Sequence, residues 1–307
     1  MKRLPMKACD AIENKISYPC ALLAKIDGVR GLNTDGPLTT RTLKPFANVA
    51  TMQRFSRPEY IGIDGEFAAE HETHPRLCSL TTSATSTMSG DPFLIWHAFD
   101  YINEDTIELG YQWRHDLLQN YVTRMHAAGL MKRVKLIPYV IVNNPDQLLE
   151  QESIWLGMGY EGVVGRGLAS PHKAGRATAR EGGYWRIKRF VQEEFLITKI
   201  NEGDRNDNEA QTNELGRTFR SSHQDNKVSN GMVGSMEGTI LKDSVLFRKG
   251  QVITVSKGTM TQEDATHYFN NQHLLLNQIG SFKHFPKGVK DKPRFPIFQS
   301  LRDPGDM

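Results

Sequence analysis

Ala24-Lys25-Ile26-Asp27-Gly28-Val29-Arg30 stands directly behind the apolar run Cys20 to Ala24. A strand that ends in this way carries a primary amine to the rim of a sheet, and the glycine after the acid lets the backbone turn sharply. An amine so placed is a candidate nucleophile. A free lysine titrates near pH ~10.4, which leaves about one molecule in a few thousand uncharged at neutral pH. The site is therefore expected to push that value down, by burial or by cationic neighbours. A lysine beside an aspartate in a solvated turn has the same local sequence, so the weight falls on what surrounds it.

Outward from the lysine, Gly31 to Gly36 reads as a strand leading into an Asp-Gly hairpin turn, with Leu38 to Arg41 returning. Tyr60 to Phe67 is a second strand, ending in carboxylates, and Phe93 to Asp100 a third. Asp105 to Leu130 has helical spacing at Leu109, Trp113, Leu117, Tyr121 and Met125, with Asp105 or Thr106 to cap it and Gly129 to close it. Val134 to Val142 reads as one strand despite Pro138, and a helix runs from Asn144-Pro145 to Leu156. Strands follow at Tyr160 to Arg166 and Tyr184 to Phe190, joined by a loop carrying Lys173, Arg176 and Arg180.

The composition changes after about residue 192. Glu194 to Ile200 alternates like a strand, and Gly203 to Gly231 is a polar stretch with no core of its own, expected as a mobile loop. Val233 to Leu241, Val245 to Arg248 and Val252 to Val255 are short strands, Gln262 to Gln278 is helical, and Phe282 to Phe285 and Phe295 to Leu301 close the chain. Short strands with one helix suggest a small barrel.

The 307 residues suffice for two domains and a sizeable core. Hydrophobic residues make up 38% and charged residues 24%, and the mean hydropathy is −0.49. No apolar run approaches the ~20 residues that span a bilayer, and no long apolar stretch follows the basic start, so the expectation is an intracellular protein without a membrane partner. Cys9, Cys20 and Cys78 are too few and too scattered for a disulfide framework or a thiolate metal site. A net charge of +3 permits an acidic polymer as partner without demonstrating one.

Lys25, Arg30, Arg41, Glu66, Phe99, Glu161 and Lys188 all fall at or near strand ends. They lie in six stretches: Lys25 to Arg30, Thr40-Arg41, Asp64-Gly65-Glu66, Ala98-Phe99-Asp100, Glu161-Gly162-Val163-Val164 and Trp185-Arg186-Ile187-Lys188. In that order the chain resembles the ATP-dependent DNA ligases of the small kind encoded by viruses and phages, within the covalent nucleotidyltransferase superfamily. Pro293 to Phe298 with Leu301-Arg302-Asp303 is similar to the tail of DNA ligases, which favours them over RNA ligases and mRNA-capping guanylyltransferases. A catalytically inactive nucleic-acid-binding relative has the same two domains.

The resemblance implies an α/β (α+β) nucleotidyltransferase domain over residues 1–192, with antiparallel-rich sheets and flanking helices. A C-terminal oligonucleotide-binding (OB) fold barrel would follow over 193–307, with a DNA-contacting polar loop near 203–231. It implies ATP and a divalent cation, magnesium or manganese, as cofactors, nicked duplex DNA as partner, and a monomer. Lys25, Asp27 and Lys188 become the catalytic residues, and Leu23, Lys25, Arg30, Arg41, Glu66, Phe99, Glu161, Arg186, Lys188 and Arg302 the nucleotide-binding set.

Physical chemistry supplies the roles. Neutral Lys25 would attack the α-phosphate of ATP in line and keep AMP as a phosphoramidate. Glu66 and Glu161 are suited to a divalent cation or to ribose hydroxyls. Phe99 offers a flat face to a purine, although a lone phenylalanine also suits a core. Arg186 and Lys188 share one face of a strand, where they would bind phosphate and depress the Lys25 pKa. Ligases usually carry lysine where Arg186 stands, a change from point donor to planar fork. The tail also departs from the family, since Pro304 to Met307 follows Arg302-Asp303 in place of an acid and a lysine. Only Arg302 is assigned there, to reach the triphosphate. Arg30, Arg41 and the loop from Lys173 to Arg180 also suit nucleic-acid phosphates, as do Arg205, Arg217, Arg220 and Lys227. Glu70-His71-Glu72-Thr73-His74 lacks a helical metal spacing and reads as a solvated loop.

Overall fold

The computed structural model describes residues 4–212, 216, 218–221, 223, 226–244, 246–258, 260–289 and 292–302, without the side chains of 285–289 and 292–294. The chain divides into two compact units, Met1–Lys188 and Arg189–Met307.

In the first unit the elements follow as β1 (Met6–Lys7), β2 (Cys9–Asp10), β3 (Cys20–Ala24), β4 (Val29–Asn33), β5 (Thr39–Thr40), α1 (Val49–Phe55), β6 (Ile63–Ala68) and α2 (Leu77–Ser86). Then come β7 (Ile95–Tyr101), α3 (Tyr111–Ala127), β8 (Val134–Leu136), β9 (Tyr139–Val142), α4 (Pro145–Gly157), β10 (Val163–Gly167), β11 (Gly175–Arg176) and β12 (Tyr184–Ile187). One five-stranded sheet has the order β5-β4-β6-β7-β8 and the other β2-β12-β10-β3-β9, while β1 and β11 form a small ladder.

Strand parity explains the layers. On β3, Cys20 and Leu22 pack with Val142, Leu148, Val163 and Trp185 on one side of the sheet. Ala21 and Leu23, one residue out of phase, face the other way, toward Ala68 of β6, Leu77 of α2 and Tyr111 of α3. On β6, Ile63 and Phe67 join the aromatic core with Phe55, Tyr60 and Trp96, with Phe67 stacked on Trp96 at 5.0 Å. Asp64, Glu66 and Ala68 take the opposite face. The two sheets thus meet across the layer holding Leu23 and Ala68, and the polar residues of β6 face into it.

Helix α4 starts where expected, with the Asn144 side chain accepting from the Gln147 N–H and Pro145 in the first turn. Other elements differ. Helix α3 begins at Tyr111, not Asp105, because Asn103 and Thr106 spend their side chains on a turn: Thr106 Oγ1 donates to the Tyr101 carbonyl, and Asn103 Oδ1 accepts from the Thr106 N–H. Its buried face is Tyr111, Arg114, His115, Leu118 and Val122, whereas Trp113 is 67% exposed. Of the expected face Tyr121 and Met125 do pack against the core, but Leu109, Trp113 and Leu117 are exposed, and two of the buried positions are polar. Val134 to Val142 is two strands. Pro138, without an N–H, interrupts the ladder, and the chain passes from β7 in one sheet to β3 in the other.

The second unit contains β13 (Val191–Asn206), β14 (Ala210–Thr212), β15 (Thr218–Arg220), β16 (Lys227–Ile240), β17 (Val252–Ser256), α5 (Gln262–Asn270), β18 (Ile279–Val289) and β19 (Lys292–Leu301). Five strands close in the order β13-β16-β17-β19-β18. Phe195, Ile197, Val233, Met236, Val255 and Phe282 fill the interior. The helix expected to Gln278 ends at Asn270 and gives way to a 3-10 turn, Gln272–Leu274. Leu246 to Arg248 is not a strand, and Val245 lies outside the described residues.

The polar stretch from Gly203 to Gly231 was expected as a loop without secondary structure, and its described residues are largely paired. Strands β13 and β16 run on together to Asn206 opposite Lys227, and β14 pairs with β15. The Asn208 side chain donates to the carbonyls of Ser221 and His223, and Asn206 to that of Ser221. Side-chain amides thus tie together backbone that no apolar pattern marks. Residues 213–215, 217, 222, 224 and 225, Arg217 among them, lie outside the described residues, as do Asp303 to Met307 and the side chains of Pro293 and Arg294.

Candidate active site

The out-of-phase residues of β3 lead to Lys25, which keeps the parity of Ala21 and Leu23 and enters the layer between the sheets. The Lys25 N–H donates to the Gly162 carbonyl, and the Glu161 N–H donates to that of Lys25. Gly162, at φ +153°, is where a Cβ would overlap the Ile187 carbonyl. It breaks the alternation between Val163, which packs in the outer core, and Glu161, which turns inward. Lys25 Nζ lies 2.6 Å from Glu161 Oε2, and Lys188 Nζ donates to Glu161 Oε1. The Glu161 side chain is 5% exposed. At Gly28 a Cβ would overlap the Phe67 carbonyl oxygen, so only glycine lets the lysine turn press against β6.

On the facing sheet, Arg30 forks onto Asp64, Nε to Oδ1 at 2.9 Å and the terminal nitrogen to Oδ2 at 2.5 Å. The same guanidinium lies 5.4 Å from the centre of the Phe99 ring. Phe99 occupies a bulge. Asp64 pairs with Asp100 and Gly65 with Ala98, which leaves Phe99 without a partner on β6. The inward-facing Phe99 is half-buried against the layer that holds Leu23.

Electrostatics separates the charged groups. Burial drives the Glu66 carboxyl up to about 7, against the opposing pull of Lys25 and Arg30. Glu161 is held down to about 2 because Lys25 and Lys188 outweigh its burial. Burial and the Lys25 ammonium push Lys188 below the usual lysine range. Lys25 goes the other way: burial acts to lower it, but Glu161, Glu66 and Asp27 together hold it above the ordinary value. This corrects the expectation of a depressed nucleophile. Lys188 and Arg186 stand on the expected side, but three carboxylates prevail over burial and cations.

Some expected residues stand apart. Arg41 is exposed on the turn after β5. Arg186 pairs with Asp10 of β2 at 2.8 Å, and Lys173 pairs with Glu181 at 2.5 Å. In the second unit Arg302 donates to Glu194 at 2.7 Å, beside a small cavity that Lys242 and Ser281 also line. Glu72 is not simply solvated. Its carboxylate lies 3.9 Å from His97 Nε2 and 3.5 Å from the Tyr160 hydroxyl, and burial pushes His97 down to about 4.

Arg114 and Arg166 are functional residues that no sequence motif marks, and Asp64 and Asp100 stand in the sequence only as parts of longer stretches. Arg114 of α3 forks onto Asp100 at 2.7 and 3.1 Å, and Arg166 of β10 reaches the same carboxylate at 3.0 Å. All three are buried. The available signal is parity: Arg166 shares the inward face of β10 with Val164.

A divalent cation can be tested against these donors. Glu161 Oε2 is buried and lacks a well-directed hydrogen bond, and the half-buried Glu66 carboxylate feels the pull of Lys25 and Arg30. An orphaned buried carboxylate oxygen with a second carboxylate in the same layer fits a hard cation. No group of three or more His, Cys, Asp or Glu ligands occurs among the described residues, so the remaining ligands would have to come from a phosphate or water.

No protein-family model matches the chain, and no curated protein matches it either. Among solved structures, Chlorella virus DNA ligase-adenylate is 25% identical, with 98% of each chain covered and a TM-score of 0.53. A structure from a study of Lig E DNA ligases shares the fold at 16% identity, over 97% of this chain and 99% of that one, with a TM-score of 0.70. The ATP-dependent DNA ligase of bacteriophage T7 in complex with ATP aligns over 97% and 98% at 12% identity, with a TM-score of 0.50. The resemblance carried by the motifs therefore extends through the structure over nearly the whole chain. Among the described residues no helix is long and apolar enough to cross a membrane.

Proposed function

We propose that this chain is an ATP-dependent DNA ligase that seals nicks in duplex DNA through a lysine-bound AMP. The observation that carries the reading is Lys25, held at Glu161 Oε2 across from Glu66 and Phe99, in a chain that aligns end to end with Chlorella virus DNA ligase-adenylate. Residues 1–192 act as the adenylyltransferase domain, and residues 193–307 as an OB-fold domain whose stretch near 203–231 contacts DNA. The protein works as a monomer.

The reaction runs in three displacements at phosphorus. Lys25 Nζ gives up its proton to water and bonds to the α-phosphate of ATP, and the α–β anhydride bond breaks to release pyrophosphate. The 5'-phosphate of the nick then takes the AMP, forming an anhydride as the N–P bond breaks. Finally the 3'-hydroxyl gives up its proton to water and bonds to that phosphate, and the anhydride bond breaks to release AMP. The phosphoramidate preserves the activation between steps.

Phe99 stacks on the purine, with Leu23 lining the layer beneath it and Arg30 at the ring. Lys188, Arg186 and Arg41 neutralise phosphate charge, and Arg302 reaches the triphosphate. Asp27 and Glu161 hold the ammonium of Lys25 in place until ATP arrives. Magnesium or manganese would be held by Glu66 and Glu161, where it offsets phosphate charge and weakens their hold on the Lys25 proton. The protein reads backbone and duplex shape rather than bases.

Incubation with labelled ATP or GTP, followed by nicked DNA or nicked RNA, tests the assignment. The expected result is label from ATP and a sealed DNA strand. Label from GTP alone identifies a capping enzyme, and sealing of RNA alone an RNA ligase.

A further inference from the structure

Asp64 and Asp100 face each other across neighbouring strands, and both are wholly buried. Two like charges directly opposed on one sheet face repel, and burial raises the cost. Three guanidiniums answer them: Arg30 on Asp64, and Arg114 and Arg166 on Asp100. The point at which the two carboxylates pair is also the point at which the ladder slips by one residue. Phe99 is the residue left over.

The guanidiniums come from different elements. Arg114 belongs to α3, and its Nη1 donates to the carbonyls of Leu109 and Ser170. Arg166 belongs to the facing sheet, lies over the Tyr184 ring at 3.5 Å and is 4.7 Å from that of Tyr111. Tyr111 in turn donates its hydroxyl to the carbonyl of Phe99 at 2.9 Å. The bulged residue is therefore tied on its own carbonyl and on the next side chain. Both ties run through groups that touch Arg166.

We propose that Arg166 is a positioning residue for the purine site, setting the aim of the Phe99 ring through Asp100 and Tyr111. The assignment deepens the proposed function and rests on its placement of the purine at Phe99. The Arg166 guanidinium engages Asp100, Tyr111 and Tyr184 rather than Lys25. It fixes the bulge from the opposite sheet, so the spacing of the two sheets and the tilt of the ring are set by one side chain.

Charge balance makes the assignment testable without unfolding the protein. The network holds three arginines and two aspartates, so loss of Arg166 leaves two of each, with Arg114 still forked on Asp100. Methionine would fill the slot between Tyr111, Tyr184 and Met6, which already touches the guanidinium. In the full-length protein, self-adenylylation is followed in single turnover at varied ATP for the wild type, Arg166→Met, Phe99→Leu and the double variant. Arg166→Met is expected to raise the half-saturating ATP concentration roughly tenfold with the limiting rate kept within about twofold. Adding it to Phe99→Leu should do little more, and Arg166→Lys should restore part of the loss.

Unchanged half-saturation with a lower limiting rate would overturn the assignment, because that is what a loss of folded protein alone produces. Fully additive effects of the two substitutions would overturn it as well, while leaving the proposed reaction intact. Absence of label on the wild type would overturn the reaction and the assignment together.

Discussion

Two buried clusters of charge face the same layer of the first unit, and they are built on different rules. Around Asp64 and Asp100 every acid is forked by arginine, a cation that keeps its proton at any ordinary pH. Around Glu161 the cations are lysines, which can lose theirs, and Glu66 stands by with its carboxyl raised to about 7 by burial. The first cluster is saturated and fixed in charge, as suits the framing of a pocket. The second is titratable, as suits chemistry that requires an amine to shed a proton. The lesson is that burial alone does not mark an active site. What marks it is burial combined with charge that can still change.

If that contrast holds, the same kind of substitution should have opposite consequences in the two places. Asp100→Asn leaves Arg114 and Arg166 facing a neutral amide, and neither can deprotonate. Urea unfolding should register a loss of about 3–5 kcal/mol. Glu161→Gln leaves Lys25 and Lys188 facing one another, but a lysine can become neutral, so the stability loss should stay under about 2 kcal/mol. Its self-adenylylation should nevertheless fall by about 100-fold or more. Equal stability losses in the two variants would erase the distinction.

Glu66 sharpens it further. Its carboxyl is raised to about 7 in the folded chain against 4.5 in the unfolded one. Between those values the native state holds a proton that the unfolded state has released, so stability falls as pH rises through the window, and the full penalty is present above 7. Glu66→Gln removes the penalty. The melting temperature should gain a few °C at pH 8, roughly 2–6 °C for a chain of this size, and should not change below pH 4.5. The smallest effect belongs to the second unit. Arg302 and Glu194 form an exposed pair, with side chains 44% and 30% accessible. Glu194→Gln should shift unfolding by less than about 1 kcal/mol.

The sequence makes the lysine cluster visible and, of the arginine cluster, only Arg30. Lys25, Glu66, Phe99, Glu161 and Lys188 could be picked out because each sits at or near the end of an apolar or alternating run, where a polar residue departs from the pattern. The structure brings Lys25, Glu161 and Lys188 into contact. Arg114 lies within a helical run and Arg166 closes the run Tyr160 to Arg166, and nothing local shows that Asp100 awaits them. The same blindness misplaced the inner face of α3, where Arg114 and His115 are buried while Trp113 is exposed. It also hid the paired strands between Gly203 and Gly231, which are held partly by asparagine amides rather than by apolar contacts. The direction of the Lys25 pKa was out of reach for a related reason. It depends on a sum over Glu161, Glu66, Asp27 and burial that only distances can weigh.

The central claim is that the Lys25 amine becomes covalently bonded to a nucleotide, and intact-protein mass spectrometry after incubation with ATP and magnesium tests it most directly. The wild type should gain the mass of one AMP, peptide mapping should place it on Lys25, and Lys25→Ala should gain nothing. An unmodified wild type, or AMP carried equally by the Lys25→Ala variant, would contradict the account.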